Sequence, residues 1–322
     1  MKYEPKVSVL MSVYNNEEYL GLSIKSVLDQ TLKDFEFIIV DDCSKDNSLS
    51  IIKKYMKFDK RIVLLENKKN IGLTKSLNKA LKKARGRYIA RLDSDDIALN
   101  NRLKIQYDYL NNNIDVFLIG TGWFVINESG KRLEVRSHIQ DYDHIKRTLP
   151  IRNCVHHPTF MFRNQTGLYY RNKFRYAQDY DLLLRILTSG EKICNLKYPL
   201  IEYREHTNSI TMKRTAMQQL FMGKAREFYQ QRLRYKKDNY KKFNPKEILS
   251  LDLEHSISKD ILSYEIYSSF KMNDFIKTRK IIRKYWKYYG QVNKLFVYYT
   301  ISFFGKRCID IFRKARRIIK SR

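Results

Sequence analysis

The chain has 322 residues, of which 43% are hydrophobic and 13% aromatic, so it can fold around a large core and is not a disordered chain. Its 63 Lys and Arg against 34 Asp and Glu give a formal net charge of +29. Such a charge indicates anionic partners, either nucleic acid, an anionic membrane surface, or substrates such as nucleotide sugars and lipid phosphates. Nucleic acid is the weakest choice, because zinc-finger spacing, aromatic RNA-binding signatures and basic-region heptads are absent from the sequence.

The cysteines and apolar runs predict the compartment. Cys43, Cys154, Cys194 and Cys308 are scattered without a Cys-x-x-Cys pair, which argues against a zinc site or a disulfide framework and is typical of a reducing cytoplasm. The first residues do not form a signal peptide, and no apolar run approaches the ~20 residues that span a bilayer. We therefore expect a soluble or peripheral cytoplasmic protein.

The first hundred residues alternate between strand and helix patterns four times. The predicted strands are Val7–Val13, Phe35–Val40, Arg61–Leu65 and the run from Tyr88 into Asp93; helices begin at Asn15–Glu18 and Asp46–Ser48, and a third, around Leu77, is closed by Gly86. This alternation predicts a parallel sheet with helices on both faces. Right-handed crossovers would bring the loops at Tyr14, Asp41 and Asp93 to one edge of that sheet.

An acidic cluster follows the fourth predicted strand. Asp93 and Asp95 are two residues apart in an extended segment, so their side chains can converge on one ligand. Carboxylates at such a site suit Mg²⁺ or Mn²⁺, which also bind substrate phosphates. The alternative is a solvated loop that caps the next helix, and Asp96 is interpreted as such a cap. Because Asp41 and Asp42 would share the same crevice and repel this loop, we expect a bound metal and nucleotide there.

The second hundred residues continue as alternating strands and helices. The predicted elements are a helix over Arg102–Asn111, a strand over Val116–Ile126, a hairpin turn at Asn127–Gly130, a helix around Ile145, a strand over His156–Arg163, a helix from Ala177 through Ser189 closed by Gly190, and a strand over Ile193–Tyr203. Neighbouring residues on a strand face opposite ways, so only one of His156 and His157 can reach a metal site, and we favour His157.

After about Thr211, Gly and Pro nearly vanish, while Lys, Arg and Tyr occupy helical patterns. We predict a domain over residues 1–210, with a nucleotide half of about 1–100 and an acceptor half of about 101–210, and a basic helical region over 211–322. The last segment places apolar residues from Cys308 to Ile319 on one helical stripe among many cations. This pattern suits an anionic membrane surface, and the alternative is a tail helix packed on its own domain.

Taken together, these patterns resemble bacterial glycosyltransferase family 2, whose members are inverting enzymes of the GT-A fold. The likeness runs from about Lys6 to Ile210. It is carried by Val7–Asn15, Val40–Ser48, Asn70–Leu73, Asn78–Ala80, Gly86–Asp96, Gln178–Leu182 and Tyr203–His206. The resemblance implies an α/β, Rossmann-like, mostly parallel sheet followed by the C-terminal helical region. One departure is Gln178, since the family commonly has Glu before the residue that corresponds to Asp179.

The resemblance also implies roles for individual residues. Tyr14 and Asp41 would contact the nucleobase, with Asp42 and Asn70 nearby; Asp93 would hold the ribose; Asp95 would bind Mn²⁺ or Mg²⁺ on the diphosphate; His206 and Arg204 would lie near the diphosphate; and Asp179 would be the general base. Arg91 would bind phosphate or pair with Asp93.

The implied function is a metal-dependent inverting glycosyltransferase that uses a nucleotide-diphospho-sugar, with a UDP-sugar favoured. The acceptor would be a glycan or lipid-linked glycan in surface polysaccharide synthesis, such as capsule or lipopolysaccharide, at the inner face of the cell membrane. The alternative is a basic protein that binds nucleic acid or another polyanion and carries a vestigial transferase domain. Neither the sugar nor the oligomeric state follows from the sequence.

Overall fold

A computed structural model of the chain describes residues 4–205, 215–251, 259–271 and 273–304. The chain divides into two compact units. The first comprises Met1–His206 with Met222–Phe243, and the second comprises Thr207–Phe221 with Asn244–Arg322. This division does not test the domain boundary predicted near residue 210, which stays a prediction.

The first unit is built on a sheet of nine strands among the described residues. They are β1 (Val7–Val13), β2 (Phe35–Asp41), β3 (Ile62–Glu66), β4 (Tyr88–Arg91), β5 (Ile97–Ala98), β6 (Val116–Ile126), β7 (Arg132–Arg136), β8 (Met161–Arg163) and β9 (Lys192–Arg204). Their order is β3-β2-β1-β4-β8-β6-β9-β5, and β7 pairs with β6. The sheet is mixed, because β8 is antiparallel to both β4 and β6, whereas β6 and β9 are parallel.

The first four strands of this order form the predicted parallel half. In it, β1 lies between β2 and β4, so that Leu10 is opposite both Ile38 and Arg91, and Val13 is opposite Asp41. Every residue of β2 is buried, as expected for a strand covered on both faces. The parallel register therefore brings the carboxyl ends of β1, β2 and β4 to one edge, as predicted.

Among the described residues, six helices and a short 3-10 turn accompany the sheet of the first unit. They are α1 (Glu17–Leu28), α2 (Ser48–Phe58), α3 (Leu73–Lys83), α4 (Arg102–Asn112), α5 (Tyr142–Thr148) and α6 (Gln178–Thr188), with a 3-10 turn at His157–Thr159. Helix α3 packs on β1 and β2, while α1 packs on α2 and β5. Gly190, at φ +85°, follows the end of α6 as predicted.

The prediction that Gly86 closes α3 is wrong. The helix ends at Lys83, and Ala84 already has extended backbone angles. Gly86 instead lies against β1, where an added Cβ would come within 2.4 Å of the backbone nitrogen of Ser8. Its N–H donates to Ser8 Oγ over 2.8 Å. Glycine is therefore needed here because the two backbones approach closely, and not because a helix ends in a left-handed conformation.

The predicted strand over His156–Arg163 is partly wrong. Only Met161–Arg163 forms a strand, and the residues before it make the 3-10 turn. Pro158 has no N–H to give to a sheet ladder, and the Thr159 hydroxyl donates to the His156 carbonyl over 2.6 Å. The adjacent histidines therefore do not follow the alternation of a strand.

The second unit is helical, which agrees with the predicted C-terminal region. Helix α7 (Thr215–Tyr235) contributes residues to both units; it is followed by α8 (Lys246–Leu249), α9 (Lys259–Lys271), α10 (Phe275–Tyr289) and α11 (Asn293–Ile301). The core of α9 and α10 consists of Leu262, Ile266, Ile282 and Tyr285, against which residues of α11 pack. Among the residues that the structure describes, no helix has the length and apolarity required to cross a bilayer. The predicted tail helix over Cys308–Ile319 lies outside the described residues.

Candidate active site

The first part of the site lies at the ends of β1 and β2. Tyr14 follows β1 directly, and 49% of its surface is exposed. Asp41 is the last residue of β2 and is buried, with one carboxylate oxygen accepting from the backbone N–H of Ser44 over 3.2 Å. The other oxygen, Oδ1, has no hydrogen-bond partner within the described ranges. A buried carboxylate oxygen beside an exposed aromatic ring can accept from an N–H group of a planar ligand.

Asp42 is also buried, but its carboxylate is fully engaged. Oδ1 accepts from Asn67 Nδ2 over 2.8 Å and from the N–H of Ile71 over 2.9 Å, and Oδ2 accepts from the N–H of Gly72 over 2.8 Å. These bonds fix the turn that carries Asn70, whose side chain is exposed. The geometry favours a positioning role for Asp42, with Asn70 on the loop that it holds.

Side-chain hydrogen bonds link the loops after β1, β2 and β4. The N–H of Asn15 donates to Ser44 Oγ over 3.1 Å, and Asn15 Oδ1 accepts from the N–H of Lys45 over 2.7 Å. Asn16 Nδ2 donates to Ser94 Oγ over 2.8 Å. The loops after β1 and β2 are thereby tied to the loop after β4, which carries Asp93, Asp95 and Asp96 and is called the acidic loop. Sequence reasoning missed this link, because Asn16 and Ser94 lie far apart in the chain and neither pattern that contains them indicates the other.

The acidic loop forms the centre of the site. Asp93, Asp95 and Asp96 each offer a carboxylate oxygen, and these oxygens lie within 4.8 Å of one another. Asp96 is fully buried; Oδ1 accepts from the N–H of Arg204 over 2.9 Å, while Oδ2 has no hydrogen-bond partner in the described part of the chain. The interpretation of Asp96 as a helix cap is wrong, since β5 follows it. Three hard oxygen donors with an unpaired buried oxygen fit a Mg²⁺ or Mn²⁺ ion.

A buried arginine accompanies this cluster. Arg91 ends β4 and pairs with the carboxylate of Asp93, while its Nε and Nη1 have no hydrogen-bond partner among the residues described. Burial raises the pKa of Asp93 to about 6, although the Arg91 guanidinium lowers it, and the charge of Asp95 adds to the rise. Burial and the charges of Asp95 and Asp93 raise the pKa of Asp96 well above its ordinary value, although Arg91 lowers it. Additional positive charge at this cluster would therefore stabilise its ionised form.

Arg204 holds the acidic loop by hydrogen bonds to backbone carbonyls. Its Nε donates to the carbonyl of Asp95 over 3.0 Å, and its Nη1 donates to the carbonyls of Asn127 and Glu128 over 3.0 and 2.9 Å. The guanidinium also lies 4.4 Å from the ring centre of Tyr19. Because these donors are directed at backbone carbonyls, the geometry favours a positioning role. The predicted site residue His206 lies outside the described residues.

Asp179 lies in the first turn of α6. Ala177, just before the helix, has the left-handed φ of 55°, which is strained for a residue with a side chain. Asp179 Oδ2 accepts from Asn153 Nδ2 over 3.0 Å, a partner that the sequence did not indicate. Burial raises the pKa of Asp179, and the charge of Asp179 in turn helps to raise the pKa of Asp93. The charge of Asp179 therefore acts on the acidic loop.

Ion pairs hold the start of α6 in place. Asp181 is fully buried and pairs with Arg185 over 3.2 Å and with Arg171 over 3.5 Å. Arg171 and Arg232 both pair with Asp238, over 2.8 and 2.6 Å. Breaking one partner of such a buried network leaves an unpaired charge, so the network fixes the helix that carries Asp179.

The two adjacent histidines have different surroundings. His156 stacks on Trp123 with ring centres 4.2 Å apart, and Tyr203 meets it edge-on at 4.7 Å. His157 Nε2 shares a hydrogen bond of 2.9 Å with the Tyr170 hydroxyl. Burial lowers the pKa of both imidazoles well below the ordinary value, so both are neutral. Among the residues described, neither histidine belongs to a group that could share a metal ion.

Comparison with known proteins agrees with this architecture. A model of glycosyl transferase family 2 matches residues 8–169. The chain belongs to glycosyl transferase family 2. It is 38% identical to an uncharacterised glycosyltransferase of Methanocaldococcus jannaschii, over 68% of this chain and 77% of that protein. It is 36% identical to the O-antigen biosynthesis glycosyltransferase WbnJ of Escherichia coli, over 70% of this chain and 90% of the relative.

Solved structures of glycosyltransferases share the fold. S. aureus TarS 1–349 in complex with UDP-GlcNAc superposes with a TM-score of 0.57 at 16% identity, covering 88% of this chain and 89% of the TarS 1–349 chain. The mannosyltransferase PcManGT of Pyrobaculum calidifontis, in complex with GDP-Man and Mn²⁺, superposes with a TM-score of 0.54 at 15% identity, covering 94% of this chain and 85% of PcManGT. The GT-A fold expected of the family is confirmed, and this family member is a glycosyltransferase.

Proposed function

We propose that this glycosyltransferase is metal-dependent, uses a UDP-sugar and inverts the configuration of the transferred sugar. The observation that carries the proposal is that Asp41 and the clustered carboxylates of the acidic loop Asp93–Asp96 follow neighbouring parallel strands of the sheet. The support for a third carboxylate, Asp179 on α6, is that its charge helps to raise the pKa of Asp93. Nucleotide, metal and base functions each require such a group. These residues are far apart in the chain. The parallel register of β1 with β2 and β4 places Asp41 and the acidic loop at the same edge.

The donor would occupy the loops after β1, β2 and β4. The exposed ring of Tyr14 would stack on the nucleobase, and the unpaired Oδ1 of Asp41 would accept from a base N–H. Asp93 would accept from a ribose hydroxyl. Arg91 has two donor groups without a partner in the described residues, and its positive charge would favour the diphosphate. TarS was solved with UDP-GlcNAc, which supports UDP as the nucleotide of the donor and an N-acetylhexosamine or hexose as its sugar.

Asp95 would hold the metal ion, with Asp93 and Asp96 as neighbouring oxygen donors. When bound, Mn²⁺ or Mg²⁺ supplies positive charge that stabilises the departing nucleoside diphosphate. The structure of PcManGT with Mn²⁺ supports this assignment by analogy of fold. Arg204 and Asp42 would act by holding the acidic loop and the Asn70 turn in place.

Asp179 would be the general base. An acceptor hydroxyl would attack the anomeric carbon from the face opposite the diphosphate, forming one carbon–oxygen bond while the bond to the phosphate oxygen breaks. The hydroxyl proton would move to the Asp179 carboxylate, and the nucleoside diphosphate would leave with the bonding electrons. Burial raises the pKa of Asp179 and thus makes its carboxylate a stronger base than that of an exposed aspartate. Asn153 orients this carboxylate by donating a hydrogen bond to Oδ2.

The acceptor would be a glycan or a lipid-linked glycan of a cell-surface polysaccharide. The support is the relative WbnJ, which is named for O-antigen biosynthesis. A lipid-linked acceptor would place the enzyme at the inner face of the cell membrane, and the charge of +29 suits an anionic lipid surface there.

Thermal stabilisation by nucleotides tests this function. A ligand that binds only the folded protein raises its stability by an amount set by concentration and affinity. We expect UDP with Mn²⁺ to raise the melting temperature of the wild type, and GDP, CDP and dTDP to raise it less. Asp95→Ala should lose the part of the shift that depends on Mn²⁺. A larger shift with GDP would replace UDP as the donor nucleotide, and no shift with any nucleotide would refute the proposed donor site.

A further inference from the structure

The helices α10 and α11 of the second unit have an unusual composition. From Phe275 to Phe304 the sequence contains seven Lys or Arg and ten aromatic residues, but no Asp or Glu. Asp274, just before α10, caps that helix by accepting from the N–H of Lys277 over 3.0 Å. This segment therefore combines positive charge with apolar area without any internal acidic group.

One face of α11 packs inward and the other is exposed. Leu295, Tyr298 and Tyr299 pack on the core of the second unit. The exposed residues are Val292, Phe296, Val297, Phe303 and Phe304, which we call the outer strip. Phe296 is 54% exposed and Phe304 is 67% exposed. Phe296 and Val297 lie in α11, Val292 precedes it and Phe303 and Phe304 follow it. Single exposed apolar residues are ordinary, but several on one short segment mark an interaction surface.

Cations of α10 lie beside the outer strip. The Arg279 guanidinium is 4.5 Å from the ring centre of Phe303 and donates to the carbonyl of Ser302 over 2.7 Å. Arg283 donates to the Tyr299 hydroxyl over 2.9 Å. Lys280 and Lys287 are exposed on the same helix. Arg279 thus lies against the apolar strip, and Arg283, Lys280 and Lys287 add positive charge on the same helix.

We propose that the outer strip and the bordering cations of α10 form a docking surface for an anionic lipid bilayer. Aromatic and aliphatic side chains enter the boundary between head groups and acyl chains, while Lys and Arg meet lipid phosphates. A second copy of the chain fits less well, since a symmetric contact would bring like charges together. Nucleic acid would use the cations but would leave the apolar strip without a partner.

This surface extends the membrane part of the proposed function and differs from the predicted tail helix over Cys308–Ile319. Co-sedimentation of the full chain with vesicles tests it. Vesicles of equal parts phosphatidylglycerol and phosphatidylcholine should bind the wild type, and vesicles of phosphatidylcholine alone should not. The double variant Phe296→Ser, Phe304→Ser should bind the anionic vesicles about tenfold more weakly.

A matched control uses apolar residues of the first unit that are more exposed than Phe296 and Phe304. Phe58 is 82% exposed and Ile114 is 79% exposed, so the double variant Phe58→Ser, Ile114→Ser should bind as the wild type does. For charge, Lys280→Glu with Lys287→Glu should weaken binding more than Lys54→Glu with Lys57→Glu on α2. The proposed surface would be refuted if a double variant of the second unit and its control lost vesicle binding equally. It would also be refuted if the wild type failed to bind anionic vesicles.

Two further readouts separate the possible failures. Sedimentation velocity without lipid reports self-association, and a dimer that dissociates in the strip variant while vesicle binding is unchanged would assign the strip to a second copy and overturn the proposal. UDP-sugar hydrolysis without acceptor reports the donor site. Strip variants that hydrolyse normally but lose vesicle binding support the docking surface, whereas absent hydrolysis in the wild type would count against the proposed donor and leave the vesicle result intact.

Discussion

Asp41 and Asp42 are adjacent and equally buried, yet they differ in what their carboxylates contact. Asp42 accepts three hydrogen bonds from the turn that carries Asn70, whereas Oδ1 of Asp41 has no partner in the described part of the protein. Replacing a buried acceptor that is fully engaged leaves its donors unpaired, but an acceptor reserved for a ligand can be changed with less effect on folding. We therefore expect a structural role for Asp42 and, under the proposed function, a binding role for Asp41.

We expect Asp42→Asn to lower the free energy of unfolding by about 1–3 kcal/mol. The amide NH₂ would face N–H groups that now donate hydrogen bonds to the carboxylate, and those donors would lose their acceptor. Asp41→Asn should lower it by less and should instead weaken UDP binding by about tenfold, since one acceptor is lost. Urea denaturation and calorimetric titration with UDP measure the two effects. Similar losses of stability in both variants would contradict the distinction between them.

Ser94 lies between two of the carboxylates of the acidic loop, and its hydroxyl accepts from Asn16 over 2.8 Å. Ser94→Ala removes the side-chain link between that loop and the loop after β1. We expect the KM for the donor to rise and the affinity for Mn²⁺ to fall, with a loss of stability of only about 1 kcal/mol. Initial rates over a matrix of donor and Mn²⁺ concentrations separate these effects from a change in kcat.

Ser250→Ala is the control for this change. Its hydroxyl donates to the carbonyl of Lys246 over 2.7 Å on the exposed side of α8, so a hydrogen bond is lost there too. Unchanged kinetics in Ser250→Ala with a raised KM in Ser94→Ala would support a positioning role. If Ser94→Ala also keeps the wild-type KM and Mn²⁺ dependence, the link does not position the acidic loop.

At the scale of elements, the contact between β1 and the chain before β4 depends on Gly86. A Cβ there would lie 2.4 Å from Ser8 N and 2.6 Å from the carbonyl carbon of Val7, both backbone atoms that cannot rotate away. Gly86→Ala must therefore shift β1 or β4, whose ends carry Tyr14 and Arg91. We expect a loss of about 1–3 kcal/mol in the free energy of unfolding, measured by chemical denaturation.

Gly223→Ala provides the opposite expectation. Gly223 lies inside α7, and nothing is within 4 Å of the position where its Cβ would be. Because Gly is less favourable than Ala inside a helix, this variant should gain roughly 0.5–1 kcal/mol. A Gly86→Ala protein as stable as the wild type would show that the β1 contact relaxes without cost.

The parallel half of the sheet could be predicted because its signals are local. Each strand is a short apolar run, and polar starts such as Asn16 and Asn47 precede the helices. The turn at His157–Thr159 was missed because Pro158 within a run of apolar residues was interpreted as part of a strand. The partners Asn153 and Ser94 were missed for a different reason: each acts through one hydrogen bond to a residue far along the chain, and such contacts leave no periodic pattern.

At the scale of the whole molecule, the charge of +29 is the property that the active site does not explain. A single donor site requires only a few cations, whereas the sequence has 63 Lys and Arg. Residues 305–322 contribute eight of them with one Asp. Each Lys or Arg near an anionic membrane contributes about 1 kcal/mol to binding at moderate ionic strength, and this contribution falls as salt rises.

Deletion of residues 305–322 should therefore weaken binding to phosphatidylglycerol vesicles and make it less dependent on salt, while UDP-sugar hydrolysis stays at the wild-type rate. Co-sedimentation over a series of salt concentrations gives both the affinity and its slope. The control is a full-length variant in which those Lys and Arg are replaced by Gln, which keeps chain length and removes the charge. Equal losses in the two variants would assign the effect to charge, a larger loss in the deletion would assign part of it to the apolar stripe, and vesicle binding unchanged by the deletion would refute a membrane role for the tail.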